Sequence, residues 1–210
     1  MTFEPYTLAI GPWSQAFSYL FRENYTQAFV NEKLTRELFV LKDGGTVALD
    51  WDQGIPDPKD HPTKPIMLMI PGVSGDSEGL YHTELLRQIR DRYKVVIFVC
   101  RGSGGLTLTS PRLNSLGSWV DLKPIIEYLN SKYIGRDAKG QKRTRLYAFG
   151  ASLGGSMIGR YLAEEGEEAK KVIDAASIYG SSWEYDKGGE YFYGNYYGLP
   201  EICVCLNLLR

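Results

Sequence analysis

This sequence has few cysteines and almost no net charge. The three cysteines, Cys100, Cys203 and Cys205, form an odd set without metal-ligand spacing, which is typical of reduced thiols in an intracellular compartment. The formal net charge is -1 over 210 residues, so nothing draws the whole chain to nucleic acid or to an acidic membrane surface. We therefore expect no metal site, no cofactor and no nucleic-acid partner.

Long apolar runs are missing as well. No stretch of about eighteen apolar residues occurs, and the N-terminus lacks the basic-then-apolar pattern of a secretion signal. Neither a membrane-spanning helix nor export is therefore expected, and any membrane contact would be peripheral. The predicted location is intracellular, either cytoplasmic or membrane-associated. With 43% apolar and 23% charged residues, the length suits one sizeable core.

The most informative stretch runs from Leu146 to Gly155 and reads LYAFGASLGG. A β-favouring run enters a Gly-x-Ser-x-Gly turn and helix-compatible sequence leaves it, which is the context that a serine-nucleophile elbow requires. Gly150 and Gly154 would relieve crowding in the turn while the hydroxyl of Ser152 is held out above the sheet. The following helix would direct its N-terminus and the amide of Leu153 at a developing oxyanion. The alternative is a chance match, because Gly, Ala and Ser are common.

Around this elbow, strand and helix patterns alternate. Two β-rich runs, Arg36 to Leu41 and Thr46 to Trp51, flank a Lys-Asp-Gly-Gly turn and predict an antiparallel hairpin. Ser118 and Asp121 have the spacing of a helix-start capping box. The remaining pattern predicts strands over 66–70, 94–100, 144–149 and 172–179, and helices over 80–93, 118–133 and 153–165. This order predicts an α/β fold, a mostly parallel sheet with helices on both faces.

Two glycine-containing loops follow buried strands. The loop over 71–77 could direct backbone N–H groups at an oxyanion, with Val73 as the candidate donor, although an ordinary strand-to-helix connection remains the alternative. The loop over 101–105 lacks both the dinucleotide spacing and the Lys-Ser/Thr of a triphosphate-binding loop. We therefore do not expect it to bind phosphate.

Several motifs together resemble the α/β-hydrolase superfamily and, within it, the AB hydrolase 4 family of esterases and lipases. They are Asp43-Gly44-Gly45 through Leu49-Asp50-Trp51, Pro71-Gly72 with Gly75, Arg101-Gly102 with Gly104-Gly105, Thr109-Ser110-Pro111-Arg112 and the Ser152 elbow. The match runs in order from about Arg36 to Trp183. It divides the chain into an N-terminal arm (1–35), an α/β-hydrolase core (36–183) and a divergent tail (184–210) that is Tyr- and Gly-rich and then apolar.

The resemblance implies a serine carboxylic ester hydrolase of the acylglycerol lipase or esterase type. It assigns Ser152 as the nucleophile of an acyl-enzyme mechanism, with the amides of Leu153 and Val73 as the oxyanion donors and with no cofactor. The implied substrates are acylglycerols, phospholipids or short acyl esters, and some members run the reaction backwards as acyl transfer to an alcohol. Members are often tied to membranes, so peripheral membrane contact is part of this expectation.

The sequence departs from this resemblance at the general base. In α/β hydrolases the acid and the histidine follow the nucleophile, whereas His61 and His82, the two histidines here, both precede Ser152. We therefore expect a C-terminally shortened member that lacks the last strands and has an incomplete triad, with His82 solvated at a helix start. Two alternatives stay open. One is an inactive pseudoenzyme that uses the crevice to bind an acyl ligand or a partner, and the other is an acyltransferase whose base is donated by another chain. The shortened sheet would also expose an edge strand, which we expect to be able to pair with a protein partner.

Overall fold

The computed structural model describes residues 33–57, 64–73, 75–187 and 190. Residues Glu32–Trp183 form one compact unit. The predicted N-terminal arm and tail lie almost entirely outside the described residues, as do His61, Cys203 and Cys205. The division of the chain into arm, core and tail therefore stays a prediction.

Six strands form a single sheet within the described part of the chain. They lie side by side in the order β1-β2-β4-β3-β5-β6. Strands β1 and β2 are antiparallel and β2 is antiparallel to β4, whereas β4, β3, β5 and β6 run parallel. Their bounds are β1 Leu34–Val40, β2 Thr46–Asp52, β3 Ile66–Ile70, β4 Lys94–Val99, β5 Leu146–Ala151 and β6 Ala175–Tyr179. The predicted hairpin and the mostly parallel sheet are confirmed.

Helices cover both faces of this sheet. The bounds are α1 Leu80–Ile89, α2 Trp119–Leu129, α3 Leu153–Glu165 and α4 Glu167–Val172, with a 3-10 turn at Leu116–Ser118 and a π-helical turn at Asn130–Ile134. Helix α1 packs Leu86 and Ile89 against one face, and α2 and α3 pack against the other, where the larger core holds Trp51 and Tyr133. Several bounds differ from the prediction. Helix α1 ends at Ile89, α2 gives way to the π-helical turn after Leu129, and α4 occupies the start of the predicted last strand.

Strand β6 lies at an edge of the described sheet. Its side chains are mostly exposed, and Tyr179 is 71% accessible to solvent. Its backbone pairs with β5 through Tyr147 to Ala151, so its other side carries no strand among the residues described. Within the same residues, no helix combines the length and the apolar composition that crossing a membrane requires.

The predicted capping box between Ser118 and Asp121 is wrong. Ser118 instead closes a box with Ser115 at the preceding 3-10 turn, where the N–H of Ser115 donates to the Ser118 hydroxyl over 2.9 Å. Asp121 is 4% exposed and accepts hydrogen bonds from Arg101 rather than from the helix start. A guanidinium supplies a buried carboxylate with two charge-assisted donors, which a single backbone amide cannot match.

Arg101 joins segments that are far apart in sequence. Its Nε and Nη2 atoms donate to Asp121 over 2.6 and 2.8 Å, and its Nη1 donates to Asp43 over 2.5 Å and to Ser110 over 2.7 Å. A Cβ atom at Gly45 would overlap the guanidinium. The hydrogen bonds to Asp121 and Asp43 raise the pKa of Arg101 above its ordinary value. Three of the segments that resembled the hydrolase family, those containing Asp43, Arg101 and Ser110, thus meet in one structural ion cluster. The guanidinium of this cluster is committed to protein ligands.

His82 is buried, not solvated as predicted. Its side chain is fully inaccessible and neither ring nitrogen has a hydrogen-bond partner. Burial lowers its pKa to about 3. The position follows from helical spacing, because His82, Leu86 and Ile89 fall on one face of α1 at i, i+4 and i+7 and that face meets the sheet.

We predict that Arg101→Met lowers the free energy of unfolding by about 3–5 kcal/mol, because it removes both hydrogen bonds that Arg101 donates to the buried Asp121 carboxylate. Arg112→Met is the matched control, since Arg112 approaches the same carboxylate at 3.8 Å but is 40% exposed. That control is expected to cost less than about 1 kcal/mol. Urea unfolding followed by circular dichroism measures both, and equal losses in the two variants would contradict the buried cluster.

We predict that His82 makes the protein less stable as pH falls. The unfolded chain protonates this histidine below its ordinary pKa of 6.5, whereas the folded protein keeps it neutral down to about 3. The free energy of unfolding therefore keeps its full value above pH 6.5 and decreases below it, by roughly 2 kcal/mol at pH 5.

His82→Leu tests this loss. Because neither nitrogen makes a hydrogen bond, leucine is expected to fold with similar stability at pH 7. Urea midpoints at pH 7 and pH 5 are expected to fall less in the variant than in the parent. Parallel losses in the two proteins would show that His82 contributes nothing to the acid sensitivity.

Candidate active site

Ser152 lies between β5 and α3 with an exposed side chain. Its backbone adopts φ 50° and ψ -118°. In the described part of the chain, Ser152 and Gln53 are the non-glycine residues with positive φ. Such a conformation costs about 1–3 kcal/mol and persists only where the surrounding structure imposes it. Here the Ser152 N–H donates to the Tyr179 carbonyl over 2.8 Å, and the Ser152 carbonyl accepts from the Ser181 hydroxyl over 2.7 Å.

The two glycines of the predicted elbow lie where backbone segments touch. A Cβ atom at Gly154 would lie within 3.0 Å of the carbonyls of Ile70 and Pro71, at the end of β3. A Cβ atom at Gly150 would lie equally close to the backbone of Gly154. Any side chain at either position would push the elbow away from β3 or from its own helix. Both glycines are therefore required by close backbone approach.

The loop after β3 lies against the elbow. A Cβ atom at Gly72 would stand 3.2 Å from the Ser152 Cβ and 3.7 Å from its hydroxyl oxygen. Val73, the predicted oxyanion donor, directly follows and is 37% exposed. Leu153, the other predicted donor, is the first residue of α3, where backbone N–H groups have no partner within the helix. The structure thus brings the Val73 loop, the start of α3 and the serine hydroxyl to the same end of the sheet.

A second ion cluster, which sequence reasoning missed, anchors this loop. The buried Asp50 carboxylate accepts two hydrogen bonds from Arg36, each of 2.7 Å, and one from the Ser77 hydroxyl over 2.5 Å. Arg36 also donates to the Gly104 carbonyl over 2.6 Å. The signal for this cluster was an aspartate in an otherwise apolar strand, Ala48 to Trp51, because a buried carboxylate needs partners.

The general base is the part of the site that stays unassigned. His82, the histidine among the described residues, makes no hydrogen bond to Ser152 or to any other group. Cys100 is buried, and its burial raises the thiol pKa to about 12, which makes it a poor nucleophile. In the part of the chain that the structure covers, no group of three or more His, Cys, Asp or Glu could hold a metal ion.

Comparison with known proteins gives relatives by sequence, although no family model matches the chain. The chain is 32% identical over 152 residues to protein abhd-3.2 of Caenorhabditis elegans, covering 71% of this chain and 37% of that protein. It is 29% identical over 150 residues to phospholipase ABHD3 of Mus musculus, covering 70% and 34%. The chain therefore spans little more than a third of the length of these relatives.

A solved structure shares the fold. The esterase Pf2001 of Pyrococcus furiosus matches with a TM-score of 0.57 at 17% identity, covering 83% of this chain and 61% of that protein. At this identity the likeness concerns the fold alone. From its sequence relatives and its fold together, we conclude that the chain belongs to the α/β-hydrolase superfamily.

Proposed function

We propose that this chain carries the nucleophile of a serine carboxylic ester hydrolase that acts on lipid esters, and that it falls within the AB hydrolase 4 family. The observation that carries the proposal is Ser152 itself, an exposed hydroxyl held at positive φ at the carboxyl end of β5. Such strain persists only where the surrounding structure imposes it, and strained residues cluster at active sites. The relative named phospholipase supports a lipid ester as the substrate class.

The chemistry follows from the position of this hydroxyl. The Ser152 oxygen attacks the ester carbonyl carbon as a base takes its proton, and the carbonyl oxygen becomes an oxyanion. The amides of Leu153 and Val73 donate to that oxyanion from the two backbone segments that meet beside the serine. The carbon–oxygen bond to the alcohol then breaks as the alcohol takes up the proton. Water releases the acid from the resulting acyl-serine by the same steps, and an alcohol in place of water would give acyl transfer.

We further propose that the triad is incomplete in this chain. Both histidines precede Ser152 in the sequence, and His82 is buried with no hydrogen bond to the serine. An unactivated serine is a weak nucleophile, and catalysis without a triad member falls to roughly 10³–10⁴ over the reaction in water. The same observation favours a second function, in which the site binds an acyl ligand without turning it over.

We predict that a fluorophosphonate probe labels Ser152 slowly, at least about 10³-fold slower than it labels a serine hydrolase with a complete triad. Peptide mass spectrometry identifies the modified residue. Ser152→Ala is expected to abolish the label. Ser131→Ala, which alters an exposed hydroxyl bonded to the Tyr128 carbonyl, is expected to leave it unchanged.

Three outcomes distinguish a serine hydrolase with an incomplete triad from the alternatives. Rapid stoichiometric labelling of Ser152 would mean that a base activates its hydroxyl, which would contradict the proposed lack of a base in this chain. Labelling at a different serine would contradict the assignment of the nucleophile. If a fatty acid binds the parent and the Ser152→Ala variant equally well while neither turns over an ester, the acyl-binding function is supported instead.

A further inference from the structure

The hydroxyl of Tyr81 is bonded to the loop that carries Val73. The backbone N–H of Gly72 donates to the Tyr81 oxygen over 3.0 Å. Tyr81 lies in the first turn of α1, nine residues further along the chain. No motif in the sequence drew attention to this tyrosine, because its partner is a backbone group.

Without hydrogen bonds to restrain it, the backbone of this loop could adopt many conformations at Gly72. Glycine has the widest range of backbone angles of any residue, so the two peptide units that meet at Gly72 need other restraints. The first unit carries the Gly72 N–H, which donates a hydrogen bond to the Tyr81 hydroxyl oxygen. The second carries the Gly72 carbonyl, which accepts from the Gly75 N–H over 3.1 Å. Hydrogen bonds therefore restrain both sides of the glycine.

The restraint on the second peptide unit extends to Val73. The peptide bond is planar and trans, so the N–H of Val73 points opposite to the carbonyl of Gly72. The bonds at Tyr81 and Gly75 thus set the direction of the Val73 N–H. They also occupy the N–H of Gly72, so that this amide is not available to a substrate.

Tyr81 is itself supported by the core. Its ring lies over the His82 imidazole, with centroids 3.7 Å apart and planes inclined by 42°. His82 is fully buried, and a Cβ atom at Gly79 would stand 3.1 Å from its Nδ1 atom. The buried imidazole therefore packs against the Tyr81 ring and limits its movement.

We propose that Tyr81 is a positioning residue for the oxyanion loop. Its hydroxyl accepts the Gly72 N–H, restrains the glycine, and thereby directs the Val73 N–H toward the place where the carbonyl oxygen of a substrate becomes negative. The proposal rests on the proposed function of Ser152. It assigns Tyr81 no contact with the substrate.

The test is Tyr81→Phe, which removes the hydroxyl and keeps the ring. Loss of one hydrogen bond of about 1 kcal/mol is expected to speed hydrogen exchange at the Gly72 amide about fivefold, measured by nuclear magnetic resonance. Misdirecting one oxyanion donor is expected to slow the phosphonylation step at Ser152 about tenfold or more, with probe affinity within about twofold. Tyr93→Phe, the same chemical change at the amino end of β4, is expected to alter neither quantity.

Each result has a separate meaning. Unchanged exchange at Gly72 would overturn the proposed restraint. Faster exchange with an unchanged rate of phosphonylation would show that the restraint does not serve the site, which also overturns the proposal. A parent protein in which Ser152 never reacts would contradict the proposed function, and the exchange experiment would still decide whether Tyr81 holds Gly72.

Discussion

The backbone contact between the end of β3 and the turn at Ser152 is the constraint on which the rest of this structure depends. The carbonyls of Ile70 and Pro71 lie so close to Gly154 that no side chain fits between them. This contact brings the start of α3 against the loop after β3 and leaves the serine at a positive φ. The strain of about 1–3 kcal/mol at such a residue must be offset by the packing of the strands and helix on either side.

Two buried ion clusters hold the loops in place around that contact. Arg101 links Asp121 at the start of α2 to the hairpin turn, and Asp50 links β1, through Arg36, to the loop that follows β3. Both clusters use bidentate guanidinium–carboxylate bonds, whose geometry is specific as well as strong. Loops rich in glycine cost conformational entropy to order, and the hydrogen bonds of these side chains restrict them.

Much of the fold was predictable because it follows from local pattern. The continuous apolar run of β3 and the Asp-Gly-Gly turn each favour one local structure. The errors came where a partner distant in sequence decided the outcome. Asp121 has the spacing of a capping residue but bonds to a buried arginine. His82 was expected to be solvated at a helix start but is buried, since the face that a helix buries depends on where it packs.

The sequence alone determined the identity of the nucleophilic serine candidate, the glycines around it and the order of strands and helices, because these depend on backbone sterics and on spacing along one segment. Tertiary structure decided which side chains form hydrogen bonds with the loop after β3. Tyr81 meets Gly72, and Ser77 meets Asp50, only after the strands are paired and α1 is packed. Hydrogen bonds between such segments leave no periodic signal in the sequence, since each depends on a single atom being brought to the right place.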